Sequence, residues 1–485
     1  MSLEKSLAPY ELVVGLEAHV QLATTSKMFC GCSTAFGARP NTQVCPVCMG
    51  LPGALPVLNR EAVRLAALAG LALEAGVQPL SRFDRKHYFY PDLPKGYQIS
   101  QFFHPLCQGG RLVIQTGAGP KAVGITRIHM EEDAGKLLHD GERGSLLDLN
   151  RCGVPLIEIV SGPDLASPQE AAAYLRGLRA VLTYAGVSDC KMNEGSLRCD
   201  VNLSLRLPGG PLGVRTEIKN LNSFQSVERA IQAEALRQAQ ALRRGESVLL
   251  ETRRYDPKTG LTQAMRPKES SGEYRFFPEP DLPWVAVPQE ALQALRASLP
   301  ELPAARRERF AAAFGLSPYG AEQLTARRWL ADYFEEAAAL AQSPESVANL
   351  LLGEVFAQLS LRGKDPGEEE GALPIAPRRL AALSDLLVQG KVNSSTGKRI
   401  LGALFEEDFD PGEYALAHDL LLIREEGALR EAAIRALEEN QAMAQAYREG
   451  KTNVLRALMG KAMALTGGKA DPRLLEDILR QLLEG

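Results

Sequence analysis

Apolar and polar residues alternate along the first predicted strand of the chain. In Glu11–Leu22 every second side chain is apolar, and this spacing places successive side chains on opposite faces of a β-strand. The apolar face would pack on a core. Glu17 and His19 would lie together on the other face, with Gly15 leaving space beside them. Such a pair commonly belongs to a solvated polar face, and the alternative is an active site.

Two later segments, Leu197–Leu205 and Gly213–Asn220, show the same alternation. Their polar faces would carry Arg198, Asp200 and Asn202 in the first segment and Arg215, Glu217 and Lys219 in the second. One face of such a sheet is normally exposed to solvent. Its cationic, acidic and amide side chains are also those that a phosphate group and its metal ion require, so the faces are candidate nucleotide and substrate contacts.

The pattern changes near residue 296. Residues 1–295 are rich in Gly, Pro and strand patterns, whereas Ala, Leu, Glu and Arg recur at helical spacing from residue 296 onward. We therefore predict an α+β fold, with a mixed α/β catalytic domain over residues 1–295. An all-helical domain would follow over residues 296–405, and a small helical tail domain would complete the chain over residues 406–485.

The composition excludes some classes of protein. A formal net charge of −4 over 485 residues argues against a generally basic nucleic-acid binder, although a local basic surface remains compatible with it. The first nine residues lack the apolar core of a signal peptide, and the chain has no apolar run long enough for a membrane span. We therefore expect a cytoplasmic protein without a transmembrane segment.

Four of the eight cysteines form two close pairs, Cys30 with Cys32 and Cys45 with Cys48, separated by twelve residues. This spacing matches a structural zinc site, in which four thiolates surround the ion as a tetrahedron. A disulfide pair or free thiols are the alternatives. The other four cysteines are scattered and are predicted to be small buried side chains in a reducing compartment; they are Cys107, Cys152, Cys190 and Cys199.

Two acidic segments are candidate metal ligands. Glu158 lies within an apolar run typical of a buried strand, and a buried carboxylate is costly unless a metal ion or a cation neutralises it. Exposure at a sheet edge is the alternative. Glu131, Glu132 and Asp133 are consecutive acids that repel one another unless a cation lies among them, and here the alternative is a solvated turn. Strand parity does not select the inward acid if the strand bends at Glu131.

Several catalytic signatures are absent from the sequence. It has no phosphate-binding loop of the Gly-x-x-x-x-Gly-Lys-Ser/Thr type, no protein-kinase signature and no dinucleotide-binding fingerprint. It also lacks a Ser/Ser/Lys amidase core and a cysteine-type glutaminase signature. If this chain adds an amide nitrogen, something else must supply the ammonia.

The chain resembles the B subunit of bacterial aspartyl/glutamyl-tRNA amidotransferases along essentially its whole length. The resemblance is carried by blocks in the same order, among them Gly15–Leu22, Ser26–Phe29, Pro40–Thr42, Gly50–Asn59, Phe83–Gln101 and Tyr274–Asp281. It implies a cradle-shaped kinase/transamidase domain, with tRNA bound by the helical and tail domains. It also implies a heterotrimer in which an A subunit hydrolyses glutamine, ammonia travels through a channel, and a small C subunit wraps around both.

In such an enzyme ATP would convert the carboxylate of a misacylated tRNA to an acyl phosphate, and ammonia would then displace phosphate. The sequence leaves open whether Asp-tRNA(Asn), Glu-tRNA(Gln) or both are substrates, and a non-discriminating aminoacyl-tRNA synthetase is a further candidate partner. The resemblance selects Glu132 from the acidic run and implies that Mg²⁺ binds to Glu17, His19, Glu132 and Glu158. It also implies that Lys86 is a polar residue of the ammonia channel.

We infer that Arg198, Asp200, Asn202 and Lys219 contact the nucleotide or the substrate, and that a Zn²⁺ ion on the four cysteines is structural. Two other functions were weighed. A noncatalytic, zinc-stabilised RNA-binding scaffold is disfavoured because clustered acids repel RNA phosphates. A free-standing glutamine-hydrolysing amidase is disfavoured because no nucleophile motif is present.

Overall fold

A computed structural model of the chain describes residues 3–140, 144–267, 274–364 and 373–484. The chain forms two compact units, residues 1–305 and residues 306–485. The first unit contains the strands and the second is helical. The predicted α+β fold class, with a mixed α/β domain followed by helices, is confirmed.

The first unit is built on a ten-stranded, mainly antiparallel sheet and two smaller sheets. Its strands are β1 (Glu11–Gln21), β2 (Gly76–Val77), β3 (Leu80–His87), β4 (Tyr97–His104), β5 (Cys107–Gln108), β6 (Arg111–Thr116), β7 (Gly119–Glu132), β8 (Lys136–Asp140), β9 (Gly144–Asp148), β10 (Pro155–Ser161), β11 (Leu197–Arg206), β12 (Thr216–Leu221), β13 (Glu251–Asp256), β14 (Leu261–Pro267), β15 (Phe277–Pro278) and β16 (Val285–Ala286). Its helices are α1 (Leu3–Leu7), α2 (Arg60–Ala72), α3 (Pro168–Tyr184), α4 (Phe224–Arg243) and α5 (Gln289–Ser298).

Strand β1 lies in the middle of the large sheet. The strand order is β14-β13-β12-β11-β1-β10-β7-β5-β2, with β6 paired to β7, and only the pair β12–β13 is parallel among the described strands. A smaller sheet consists of β15, β3, β16 and β4, and β8 pairs with β9. A polar side chain on β1 therefore has neighbours on both sides.

The predicted alternation of β1 and β11 is confirmed. The apolar face of β1 is buried from Leu12 to Leu22, and on β11 the five apolar positions from Leu197 to Leu205 are buried as well. These faces share one hydrophobic core with α2, α3 and α4, because each helix has an apolar stripe of the same kind. Because these helices pack on one side of the sheet, the polar face on the other side is available for a functional site.

The helices of the first unit begin at residues that can cap them. Ser167 accepts a hydrogen bond from the Glu170 amide at 3.1 Å and so starts α3. Ser223 accepts one from the Ser226 amide at 3.0 Å and so starts α4. A side-chain oxygen at this position satisfies an otherwise unpaired helical N–H group. Helix α5 packs Leu292 and Leu295 on the first core, so the first unit extends beyond the predicted boundary at residue 295.

The second unit combines the predicted helical and tail segments. Its helices are α6 (Pro303–Phe314), α7 (Pro318–Thr325), α8 (Arg328–Leu340), α9 (Pro344–Asn349), α10 (Phe356–Leu361), α11 (Pro377–Val388), α12 (Ser394–Leu404), α13 (Pro411–Ala417), α14 (Glu426–Glu439), α15 (Gln441–Arg448), α16 (Leu455–Leu465) and α17 (Pro472–Glu484). A π-helical turn, Leu350–Val355, joins α9 to α10, and α14–α17 enclose a hydrophobic cluster of their own. In the described part of the chain, no helix is both long and apolar enough to cross a bilayer.

Candidate active site

The polar face of the large sheet carries two rows of side chains that cross its strands. Residues at paired positions on neighbouring strands lie side by side because the strands are about 4.8 Å apart. The first row consists of His129 on β7, Glu158 on β10, His19 on β1 and Arg198 on β11. The second row consists of Arg127, Val160, Glu17 and Asp200 on the same four strands.

His19, Glu131 and Glu158 form the first group of candidate metal ligands. His19 Nε2 lies 3.3 Å from Glu158 Oε2 and 3.7 Å from Glu131 Oε1. One ligand atom from each residue lies within 4.8 Å of the other two. Nitrogen and oxygen ligands of a divalent cation are spaced in this way, with about 3 Å between neighbouring ligands of an octahedral Mg²⁺ ion. The group therefore fits a cation such as Mg²⁺.

His129 also contacts the two carboxylates of this group. Its Nε2 lies 3.5 Å from Glu158 Oε2 and 3.7 Å from Glu131 Oε2, and the residue is 3% exposed. Its Nδ1 is buried without a hydrogen-bond partner. His129 thus contacts both carboxylates and also lines the cavity, which is a positioning role that sequence reasoning missed.

Opposite charges set the protonation of the first group. Burial alone would lower the pKa of His19, but the hydrogen bond with Glu158 and the charges of Glu158, Glu131 and Asp200 raise it to about 9. Burial alone would raise the pKa of Glu158, but His129 and His19 lower it well below its ordinary value. Without a metal ion the group is therefore an imidazolium between carboxylates, and a cation that binds here must displace the proton of His19.

Glu17, Asp200 and Glu217 form a second group of acids on the same face, again with ligand atoms within 4.8 Å of one another. Asn202 Nδ2 donates a hydrogen bond to Glu17 Oε1 at 2.8 Å. Lys219 Nζ lies 2.5 Å from Asp200 Oδ2 and 3.6 Å from Glu217 Oε1. The structure therefore divides the predicted ligands, because Glu17 belongs to this group and His19 and Glu158 belong to the first.

Both groups line one cavity of about 410 Å³. Of the predicted site residues, the cavity brings together Glu17, His19, Lys86, Glu158, Asp200 and Lys219. Phe102 and Phe276, whose ring centroids lie 4.1 Å apart, form part of its wall. Arg127 and Arg215 also line it, and neither has an acidic partner within ion-pair distance among the described residues. The cavity thus combines two groups of acids with two arginines that have no acidic partner among the described residues. This combination suits an anion that binds together with a metal cation.

Glu132 lies apart from the other predicted metal ligands. Strand β7 runs straight through Glu132 in register with β10, so Glu131 points to the cavity face and Glu132 to the other side. Glu132 forms an ion pair with Lys95 and accepts a hydrogen bond from the Ile99 amide at 2.9 Å. Glu131 takes the place that the sequence analysis gave to Glu132.

Two predicted contact residues have structural partners instead. Arg198 donates a hydrogen bond to Asp133 Oδ1 at 2.9 Å, and it is absent from the cavity lining. Burial alone would raise the pKa of Asp133, but Arg198 and Arg151 lower it, so the pair is ionised. Asn202 positions Glu17, and it too is absent from the lining. Both predictions named the correct sheet face, and neither side chain reaches the cavity.

The four predicted zinc ligands come together beside β1. The sulfur atoms of Cys30, Cys32, Cys45 and Cys48 lie within 4.8 Å of one another, and all four cysteines are free thiols. A tetrahedral Zn²⁺ ion with Zn–S bonds of about 2.3 Å requires sulfur–sulfur distances of about 3.8 Å, so the cluster fits zinc with little movement. The four scattered cysteines are buried, as predicted.

The protonation of the cluster also suits a metal. A hydrogen bond with Cys30 is the main cause that lowers the pKa of Cys48 to about 4, and the Lys27 ammonium contributes, whereas burial opposes the shift. Zinc binds thiolates, so at least one ligand of the cluster is already in the form that the metal requires.

The sequence alone could have identified some of the missed residues. Arg127, His129 and Glu131 occupy alternate positions of one strand, and that spacing would have placed them on one face. No local signal identifies the residues beside these three side chains, because they come from β1, β10 and β11, which other elements separate from β7 in the chain.

Comparison with known proteins identifies the family of the chain. The model of the GatB/GatE catalytic domain matches residues 12–293, and the model of the GatB domain matches residues 332–483. The B subunit of the aspartyl/glutamyl-tRNA(Asn/Gln) amidotransferase from Caldanaerobacter subterraneus subsp. tengcongensis is 48% identical over 475 residues, 98% of this chain and 99% of that protein. The B subunit of the same enzyme from Nitratidesulfovibrio vulgaris is 48% identical over 479 residues, 98% of this chain and 100% of that protein.

Matches over almost the whole chain to these relatives define an amidotransferase subunit, an enzyme component of the ligase type. The chain belongs to the family of B subunits of aspartyl/glutamyl-tRNA(Asn/Gln) amidotransferases. As a B subunit it is part of a multi-subunit amidotransferase.

Proposed function

We propose that this chain amidates misacylated tRNA in an ATP-dependent reaction, converting Asp-tRNA(Asn), Glu-tRNA(Gln) or both to the corresponding Asn-tRNA and Gln-tRNA. It would act in the cytoplasm, in a heterotrimer with a glutaminase A subunit and a C subunit. The observation that carries the proposal is the cavity of about 410 Å³, in which two groups of acids face the same space as two arginines that have no acidic partner among the described residues.

The chemistry requires activation of a carboxylate, because its oxygen is a poor leaving group. The side-chain carboxylate of the misacylated amino acid attacks the terminal phosphorus of ATP, and ADP leaves. Ammonia then attacks the carbonyl carbon of the acyl phosphate. The carbon–oxygen bond to phosphate breaks, the amide forms, and the proton lost by nitrogen leaves with the phosphate. Phosphoryl transfer depends mostly on positioning and charge neutralisation.

The cavity residues fit these tasks. His19, Glu131 and Glu158 would hold a Mg²⁺ ion, which supplies charge neutralisation at the phosphates when bound. Glu17, Asp200 and Glu217 lie beside them, where Lys219 limits their mutual repulsion. Arg127 and Arg215 have no acidic partner among the described residues, so their guanidinium groups are available to phosphoryl oxygens.

The remaining parts of the proposal concern nitrogen, zinc and tRNA. Ammonia would come from the A subunit, and Lys86, whose Nζ lies 5.0 Å from the centre of the Tyr274 ring, would act on its path at the cavity wall. Zn²⁺ on the four cysteines would have a structural role, because all four ligands come from the protein. The second unit, with its twelve helices among the described residues, would bind tRNA.

Isotope transfer tests the proposal directly. Misacylated tRNA labelled with ¹⁸O in the side-chain carboxylate is incubated with the complete complex, ATP, Mg²⁺ and glutamine. We expect one ¹⁸O atom in the inorganic phosphate for each amide formed, because the carboxylate oxygen leaves with phosphate. Unlabelled phosphate together with normal amide formation would rule out the acyl-phosphate route.

A further inference from the structure

A fully buried lysine lies next to the four-cysteine cluster. Lys27 follows β1 in the chain and has 0% of its surface exposed. A buried ammonium group is costly unless hydrogen bonds and a negative charge compensate for the lost water. Lysine is therefore rare at such a position, and the identity of its partners indicates its role.

The partners of Lys27 belong to the cysteine cluster and its surroundings. Lys27 Nζ lies 3.5 Å from Cys48 Sγ and 3.3 Å from the carbonyl oxygen of Leu149. A cavity of about 130 Å³ beside it is also lined by Lys95 and Glu132. Those two form an ion pair with each other, and no described carboxylate lies within ion-pair distance of Lys27. Among the described residues, Cys48 is thus the one ionisable side chain within hydrogen-bond distance of the Lys27 ammonium.

We propose that Lys27 is a positioning residue of the four-cysteine metal site, in which its ammonium donates a hydrogen bond to Cys48 Sγ and offsets part of the charge of a zinc-bound tetrathiolate. This inference rests on the proposed zinc site. Zn²⁺ with four thiolates carries a double negative charge, and Cys48 is the buried member of the set. A fixed cation at this sulfur lowers the cost of burying that charge.

Lys27 also fixes the position of the sulfur. The Leu149 carbonyl oxygen also accepts a hydrogen bond from the ammonium, and Cys152 Sγ donates a hydrogen bond to the Cys48 carbonyl oxygen at 3.3 Å. Gly153 has a φ of +84°, and a Cβ atom there would lie 3.6 Å from Lys27 Cδ and 3.5 Å from Cys48 Cβ. The chain thus closes around Lys27 and Cys48, so Lys27 joins the metal cluster to the segment that leads into β10.

Zinc release from the full-length chain tests the inference. Wild type, Lys27→Met and Lys95→Met are loaded with zinc and mixed with a chromophoric chelator, and the release rate is measured together with zinc content. Lys95→Met is the matched control, because it removes a second lysine of the same cavity, whose ammonium pairs with Glu132 and not with a zinc ligand among the described residues. Mutation of a residue that orients metal ligands typically lowers the affinity for the metal by about 10- to 100-fold.

We expect Lys27→Met to release zinc at least about tenfold faster than wild type, with Lys95→Met close to wild type. If Lys27→Met does not fold, Lys27→Gln carries the test, since it keeps an N–H donor without the charge and should release zinc at an intermediate rate. Equal release from wild type and both Lys27 variants would overturn the inference. Equally fast release from Lys27→Met and Lys95→Met would also overturn it, because the cause would be a loosened cavity. A wild-type chain without zinc would instead refute the zinc site itself.

Discussion

Glu131 and Glu132 are adjacent on β7 and face opposite sides of the sheet. Glu131 Oε1 lies 3.7 Å from His19 Nε2 in the candidate active site, whereas Glu132 forms an ion pair with Lys95 beside the cysteine cluster. Neighbouring residues of a strand point in opposite directions, so two equal acids acquire different partners. Glu131 can therefore take part in the reaction, whereas Glu132 can stabilise the fold.

The first prediction separates these two acids. Glu131→Gln should lower tRNA-dependent ADP formation by the complete complex by at least about a hundredfold, because it removes a charge that the reaction centre needs. Glu132→Gln should keep most of that activity but lose roughly 3 kcal/mol of stability in urea unfolding, because it leaves Lys95 buried without a counter-charge. If Glu132→Gln lost the activity and Glu131→Gln lost only stability, Glu132 would be the metal ligand.

The second prediction separates chemistry from tRNA binding. Glu158→Gln keeps the shape of the side chain and should abolish tRNA-dependent ATP hydrolysis with little change in tRNA affinity. Truncation after Glu425 removes α14–α17 with their own hydrophobic cluster and should weaken tRNA binding while the first unit keeps its fold. This cut is preferable to one after residue 405, because α13 packs on α11. Equal loss of both properties in both variants would contradict the proposed division of roles.

The third prediction concerns zinc. Purified protein should contain about one zinc ion per chain under reducing conditions. Cys45→Ser should lower the Tm by roughly 5–10 °C, whereas the turnover of the remaining folded protein should change little, because a four-ligand site has no open position for chemistry. Protein without zinc, or a variant with normal stability and lost turnover, would argue against a structural site.

The sequence predicted features whose signals are local. The two cysteine pairs identified their cluster because ligands of structural zinc sites lie at short, characteristic spacings. The faces of β1 and β11 were predictable because one face packs on helices and the other carries polar residues. On β7, Ile128 and Met130 alternate with His129 and Glu131, but the sequence did not show that the strand continues without a bend to Glu132.

Other features depend on contacts between distant segments. His19 meets Glu158 through the pairing of β1 with β10, and Arg198 meets Asp133 across 65 residues. Arg198 was expected to bind a ligand because it shares a polar face with Asp200, but its partner lies just beyond the end of β7, and strand periodicity gives no information on that contact. Register between distant strands therefore limited the prediction of the site more than secondary structure did.

The fourth prediction concerns the pH dependence of stability. Glu234 is fully buried on α4, where Arg237 donates hydrogen bonds of 2.9 and 2.6 Å to its two oxygens and Thr262 Oγ1 donates one of 2.7 Å. Burial alone would raise the pKa of Glu234, but these hydrogen bonds lower it. The folded pKa is thus below the unfolded value of about 4.3, so this stabilisation is complete above pH ~4.3 and is lost as pH falls through the lowered value.

Glu234→Gln should therefore cost roughly 2 kcal/mol at pH 7, measured by urea unfolding, because a charged hydrogen-bond network is lost. The difference from wild type should shrink as the pH is lowered below about 4.3, where wild type also loses the charge. Arg244 and Glu246 form a comparable pair on the surface, and Glu246→Gln is a suitable control that should change stability little at any pH. A cost for Glu234→Gln that does not depend on pH would show that packing, not charge, is the cause.

The fifth prediction concerns the path of nitrogen. Lys86 lines the active-site cavity, and its ammonium lies over the Tyr274 ring. It does not pair with Asp84, because Asp84 is buried and accepts hydrogen bonds from the amides of Phe102 and Phe103. In the complete complex, Lys86→Met should impair glutamine-driven amidation about tenfold or more, and ammonium-driven amidation less. A polar group on a narrow path can orient ammonia or carry a proton, whereas ammonia from bulk solvent can reach the cavity by another route.

Glutaminase activity of the A subunit, measured in parallel, controls for disrupted assembly. If both nitrogen sources are affected alike, Lys86 acts on the phosphoryl step or on the fold, and the path of ammonia must lie elsewhere.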